Sequence, residues 1–357
     1  MTKHIVLIPG DGIGPEVIAP AVEVLKAAAG KTGLTLEFST HLAGGCAIDA
    51  FGLPLPEETI QATKKADAVL LGAVGGPKWD NVSPDIRPEK AILGLRKALG
   101  LFANLRPVKV SASLASYSPL KQERVSGVDI LILRELNGGI YYGNRCESEI
   151  VNGIEQAWDT ELYSVPEVVR IVRMACEAAR LRRGSVTSVD KANVLASSRL
   201  WRRTADKVAA GFPEIKLRHM YVDNCAMQLV IAPKDLDVVV TGNLFGDILT
   251  DEAAVLTGSI GMLPSASLGL GTGLYEPIHG SAPDITGKGL ANPIGTILST
   301  AMLLRHSLKN EEGAIIIEKA VEAILDGGFR TADMAQPGLT KLSTEEMGQK
   351  ILSQIHR

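Results

Sequence analysis

Short β-branched runs alternate with longer amphipathic stretches along almost the whole of this chain, and that alternation restricts it to a layered α/β fold. Residues 5–8, 68–71, 129–133, 185–189, 217–222 and 237–240 have the length and β-branching of strands. Residues 165–182, 193–210, 244–256, 294–306 and 314–325 repeat their apolar positions at helical spacing. Strands separated by helices pack as sheets that are at least partly parallel. A length of 357 residues points to about two domains. No repeat, low-complexity tract or charged linker separates them. Pro15 suits the first turn of a helix, whereas Pro20 removes a hydrogen bond and is expected to kink or end it, at about 3 kcal/mol.

With 46% hydrophobic residues the chain can bury a core, and a net charge of −3 offers no field for nucleic acid or an anionic membrane. Apolar runs are only a few residues long, far short of a membrane span. The N-terminus enters a strand-like run directly, so no secretory leader is expected. The four cysteines (Cys46, Cys146, Cys176, Cys225) show neither a CxxC nor a zinc spacing, so reduced thiols and a cytoplasmic location are expected.

Arg134, Lys191 and Asp223 each follow an apolar strand-like run. In open α/β sheets ligands bind at the carboxyl ends of strands, so three ionisable groups there form a site pattern, although each alone is usually a solvated loop residue. Asp247 and Asp251 lie at i, i+4 and share one helix face, with no Lys or Arg at 243, 244, 254 or 255 to relieve their repulsion. Something outside the helix must offset it. An exposed acidic stripe is the plainer reading; a site for Mg²⁺ or Mn²⁺, with Asp223 as third ligand, is the sharper one. Arg96, Arg106 and Arg134 come from three segments, and convergent guanidinium forks would hold a dianion bidentately. Tyr141 and Lys191 are the remaining acid and base candidates, and Gly138, Gly139 and Gly143 around Tyr141 suggest a hairpin or close backbone approach. The string Gly10-Asp11-Gly12-Ile13-Gly14-Pro15 lacks the dinucleotide-binding glycine spacing and reads as a tight strand-to-helix turn. Residues 276–293 form a loop dense in Gly and Pro, whose length and composition suit backbone amides wrapped around a nucleotide, with Asp284 free to accept from ribose hydroxyls.

Together these strings, with Gly75-Gly76-Pro77-Lys78-Trp79, Leu101 to Pro107, Arg134-Glu135-Leu136, Asp190 to Val194 and Thr241 to Glu252, resemble the isocitrate/isopropylmalate β-decarboxylating dehydrogenases, essentially end to end. The resemblance implies a fold that is not Rossmann: two α/β domains with a mixed sheet through both. Residues 1–101 plus 258–357 would form the nucleotide-binding domain. Residues 102–257 would carry the dimer interface, a dimer arm and the metal and substrate groups. It implies Arg96, Arg106, Arg134 and Asp223 as substrate-binding residues, Tyr141 and Lys191 as the catalytic pair, and Asp223, Asp247 and Asp251 as metal ligands. It also implies NAD, held by Gly76, Glu89, His279, Gly280, Ser281, Ala282, Pro283, Asp284, Ile285, Ala291 and Asn292. Lys191 and Asp223 would reach into the partner's site of a homodimer. The chain departs from its relatives at Asn144-Arg145-Cys146-Glu147, in the dimer arm. Family members differ in what meets the substituent on substrate C3. Here Glu89, Ile92, Leu93 and Arg96 share one helix face, and the aliphatic pair favours 3-isopropylmalate as substrate. The alternatives are isocitrate, homoisocitrate, tartrate or D-malate, or a catalytically dead paralogue, although no catalytic or ligand position is missing.

Overall fold

The computed structural model describes residues 2–357. Numbered along the chain, the elements begin with β1 (Thr2–Gly10), α1 (Gly14–Lys31), β2 (Thr35–Thr40), α2 (Gly45–Phe51), α3 (Glu57–Lys65), β3 (Ala68–Ala73) and α4 (Lys90–Ala98). The middle of the chain forms β4 (Ala103–Lys109), α5 (Gln122–Val125), β5 (Asp129–Glu135), β6 (Arg145–Val151), β7 (Ile154–Asp159), α6 (Val165–Arg180), β8 (Ser185–Asp190), α7 (Ala196–Ala209), β9 (Lys216–Tyr221), α8 (Val222–Ile231), β10 (Val238–Thr241) and α9 (Asn243–Ala254). The remainder is β11 (Pro264–Leu268), β12 (Gly273–Pro277), α10 (Ile294–His306), α11 (Glu311–Asp326), β13 (Phe329–Arg330), β14 (Thr340–Lys341) and α12 (Thr344–His356). Two compact units result. A terminal unit joins the residues up to Leu101 with Thr257–Arg357, and a central unit holds Phe102–Leu256.

Both units are α/β and mixed. In the terminal unit the strand order is β2-β1-β3-β12-β11, all parallel except β11. In the central unit it is β4-β5-β10-β8-β9, all parallel except β4. Parallel strands covered on both faces read as continuous apolar runs, and β3 and β10 are buried at every residue. The strands β2 and β9 instead alternate exposed and half-buried positions. Val6, Ile8, Val69, Leu71 and Leu274 form a core of the terminal unit with Leu95 of α4. In the central unit α6 starts at a capping box of Ser164 and Glu167 and buries Val168, Ile171, Val172, Ala175 and Ala179.

Helix α1 does not end at Pro20, one of the two outcomes expected there, but continues to Lys31. A Cβ on Gly348 of α12 would stand 2.3 Å from Pro20 Cβ, so the proline ring fills the notch that the glycine leaves. The half-buried ring thus gains a packing contact at the residue where the backbone bond is lost. The hairpin β6–β7 turns through Asn152 and Gly153, both at positive φ (53° and 80°), and has a register shift between Cys146 and Glu149. No helix among the described residues is long and apolar enough to cross a membrane.

Candidate active site

Arg134 sits near the end of β5 and is buried. Its Nε donates to Asn243 Oδ1 at 3.0 Å, its terminal nitrogen is paired with Asp247, and its guanidinium lies 5.6 Å from the Tyr141 ring centre. The Tyr141 hydroxyl donates to the other Asp247 oxygen at 2.8 Å. Only a glycine at 246 lets α9 approach so closely, because a Cβ there would fall 2.6 Å from Arg134 Cγ. From β4, Arg106 donates to Asn104 Oδ1 at 2.7 Å and Thr250 Oγ1 at 2.6 Å, and reaches Asp251 Oδ1 at 3.5 Å. The repulsion between Asp247 and Asp251 is therefore offset by one arginine from each of two strands. Burial, then the Asp247 carboxylate, pushes the Tyr141 phenol above its ordinary range, and Arg134 works in the opposite direction. At 39% exposure Tyr141 is still open to a reactant.

Lys191 follows β8. Its backbone is fixed by Ser198, whose Oγ accepts its N–H at 3.0 Å. The preceding buried Asp190 accepts the N–H of Ala192 and two bonds from Arg202, each at 2.9 Å. The Lys191 ammonium is bonded to Asp223 Oδ1 at 2.5 Å. Asp223 lies in the first turn of α8, where helix amides favour an anion, and the Lys191 bond holds its carboxyl below the usual range. Among the described residues no three His, Cys, Asp or Glu side chains gather as a metal site. Within one chain, then, Arg134, Tyr141 and Asp247 meet, Arg106 reaches Asp251, and Lys191 meets Asp223, while the three aspartates are not brought together.

In the terminal unit Arg96 is nearly buried in α4; it donates to Glu276 Oε1 at 3.1 Å and keeps a buried Nε without a partner. Glu89 stands just before α4, and a Cβ on Gly75 would lie 3.0 Å from its carboxylate. Ile92 packs against the core, which leaves Leu93 as the aliphatic group of that face outside the core cluster. The turn at 10–14 is structural, as its spacing suggested. Buried Asp11 accepts the N–H groups of Gly45, Cys46 and Gly75 at 2.7, 2.7 and 2.8 Å.

The loop at 276–293 splits into anchors and exposed groups. Ser281 accepts the Ile13 N–H, Asn292 binds Asp333 and the Ile294 N–H, and Ala282, Ile285 and Ala291 pack with Ile13 and Val17. Gly76 stands beside Trp79. Pro283 and Asp284 are exposed, and a Cβ on Gly280 would meet no atom within 4 Å. His279 Nδ1 bonds Gly280 O, its buried Nε2 has no partner, and burial lowers its pKa. Asn243, Thr250, Asn104 and Glu276 were missed in the sequence. For two of them a signal existed: Asn243, Asp247 and Thr250 fall at i, i+4 and i+7 on α9.

Residues 4–351 match the family described as isocitrate/isopropylmalate dehydrogenase. The chain belongs to that family. Among its relatives, the 3-isopropylmalate dehydrogenase of Halalkalibacterium halodurans is 57% identical over 99% of this chain and 98% of that one. The 3-isopropylmalate dehydrogenase of Pseudomonas fluorescens is 56% identical over 99% of each. The crystal structure of isocitrate dehydrogenase from Methylococcus capsulatus superposes with a TM-score of 0.87 at 34% identity, covering 99% of this chain and all of that one. A β-decarboxylating dehydrogenase from Thermococcus kodakarensis gives 0.82 at 39% identity, covering 99% and 96%. Members of the isocitrate/isopropylmalate dehydrogenase family are decarboxylating dehydrogenases, and the α/β class expected from the sequence is the one that this family member adopts.

Proposed function

We propose that this protein oxidatively decarboxylates 3-isopropylmalate to 4-methyl-2-oxopentanoate in leucine biosynthesis, with NAD and with Mg²⁺ or Mn²⁺ bound. The observation that carries the reading is the contact of Arg134, Asp247 and Tyr141 beyond β5: an anion holder, a hard carboxylate donor and a proton donor in one cluster. The names of the relatives at 56–57% identity select the substrate.

Arg96, Arg106 and Arg134 hold the two malate carboxylates. Lys191 accepts the proton of the substrate hydroxyl as C2 gives up its hydride. The bond from C3 to its carboxylate then breaks, its electron pair enters the C2–C3 enolate, and CO₂ leaves. Tyr141 delivers its phenolic proton to C3. Asp247, Asp251 and Asp223 suit a hard divalent ion by donor type, and the ion supplies Lewis-acid polarisation of the substrate oxygens. NAD supplies the hydride acceptor. Its proposed holders are Gly76, Glu89 and residues 279–285 with Ala291 and Asn292. In support, His279 has an unsatisfied buried nitrogen, the chain is open at Gly280, and Asp284 is exposed for ribose hydroxyls. A carboxylate at that point repels a 2′-phosphate. Leu93, beside Glu89, favours an isopropyl group over a third carboxylate, which would lie desolvated and unpaired. The active form is a homodimer in which Lys191 and Asp223 serve the partner's site. Apolar side chains left open on α8 and α9, among them Met227, Ile231 and Ile248, support that association.

The test is NADH formation with 3-isopropylmalate, isocitrate and D-malate in parallel. The isopropylmalate kcat/KM should exceed that for malate by about 10–200-fold, the range open to burial of a small aliphatic group, and that for isocitrate by more. NADP should substitute poorly. EDTA should abolish turnover and Mg²⁺ or Mn²⁺ should restore it. Faster turnover of isocitrate, or full turnover without metal, overturns the reading.

A further inference from the structure

One buried tyrosine meets both the turn that precedes Tyr141 and the start of the helix that carries Asp247. The Tyr163 hydroxyl accepts the Asn243 N–H at 2.7 Å, at the start of the helix that carries Asp247. A Cβ on Gly138 would lie 2.6 Å from Tyr163 Cε1, one on Gly139 2.7 Å from its hydroxyl, and one on Gly242 2.9 Å from the same oxygen. Gly139 is at φ 75°, so it is held in the left-handed region against the ring. The turn is fastened further by the Gly139 N–H to the carbonyl of Leu162 at 2.9 Å, and by the Gly138 N–H to buried Glu135 at 2.7 Å. Behind Tyr163, Trp201 packs edge-on with ring centres 5.4 Å apart.

We propose that Tyr163 is a positioning residue for the proton-transfer step: it fixes the start of α9 and the Gly138–Gly139 turn to one hydroxyl and one ring face, and so sets Tyr141 against Asp247. It is not a second acid. It is 7% exposed, and burial pushes its phenol far above the ordinary range, so it keeps its proton. Asn243 extends the device. Its backbone bonds Tyr163, its Oδ1 accepts from Arg134, and its Nδ2 donates to the carbonyls of Leu136 and Gly138. The inference rests on Tyr141 being the donor to C3.

The decisive variant is Tyr163→Phe, which keeps the ring and removes the hydroxyl. Its kcat should fall about tenfold, the size of one lost neutral hydrogen bond, while KM for both substrates stays within about twofold because the arginines are untouched. In D₂O the wild type should place deuterium at C3 in one configuration. The variant should give both, because solvent then competes with Tyr141. Gly242→Ala, whose methyl presses on the same hydroxyl, should reproduce the loss, and adding Tyr163→Phe to it should relieve rather than deepen it. Unchanged kcat and deuterium configuration in Tyr163→Phe overturn the proposal. So does a loss in which KM rises in step and the configuration is kept, which marks a purely structural tyrosine. If the wild type makes no NADH from 3-isopropylmalate, the functional reading fails instead. Amide hydrogen exchange over residues 138–142 then decides the role of Tyr163 alone: faster in Tyr163→Phe supports it, unchanged refutes it.

Discussion

His306 lies at the end of α10, and its imidazole is held down to about 4 by burial first, then by the charges of Arg305 and Lys309, with Glu311 opposing. The unfolded chain therefore binds a proton below the ordinary imidazole value of about 6.5 that the folded chain refuses. Stability is lost as pH falls from about 6.5 towards 4, by an amount on the order of 3 kcal/mol. Urea unfolding of the wild type should weaken across that window, and His306→Gln should flatten the dependence; parallel curves for the two proteins count against it. Nothing in the order of residues marks His306 as half-buried, whereas Asp247 and Asp251 declare a shared face by their spacing alone. Their neutralising partners stayed hidden, because Arg106 and Arg134 lie on strands more than a hundred residues away in sequence. Tyr163 was invisible too: the chain it holds is largely glycine, at 138, 139 and 242, which carries no side chain to pattern, and Asn243 is 80 residues away.

At the level of elements, the contact of Pro20 with Gly348 separates two kinds of glycine. Gly348→Ala puts a methyl where Pro20 Cβ already lies, so it should destabilise by about 1–3 kcal/mol despite alanine's better helix propensity. Gly30, also helical, has nothing within 4 Å of an added Cβ, and Gly30→Ala should gain about 0.5 kcal/mol. Thermal unfolding of the two variants checks the contrast, and equal shifts in Tm refute it. Strands buried on both faces, such as β1, β3, β5 and β10, were legible because burial demands continuous apolar runs. The strands β2, β4, β11 and β12 were not. They include polar residues, prolines or glycines, and their pairing is decided by neighbours distant in sequence. Helix α8 escaped notice because it begins at Val222, immediately after β9, with no turn residue between them.

For the whole molecule, Lys191 bonds Asp223 while Tyr141 bonds Asp247, and the three aspartates do not gather within one chain, which makes complementation the natural trial of a shared site. Lys191→Met and Tyr141→Phe should each be inactive. Refolded together, half of the dimers pair one of each and regain one intact site in two, which gives about a quarter of wild-type activity. No recovery, with heterodimers demonstrated by native mass spectrometry, rules out sharing. The order in which the chain is synthesised bears on its folding. All five sheet strands of the central unit lie between Ala103 and Thr241, so that sheet can close soon after leaving the ribosome. In the terminal unit β3 waits for β12, since Ala68 pairs with Gly273. At about 5–20 residues per second that delay is on the order of 10–40 s, during which the Val69-Leu70-Leu71 edge is an open template for another nascent chain. A chaperone arriving in that interval meets the unguarded side of the first sheet while the central unit is still being completed behind it.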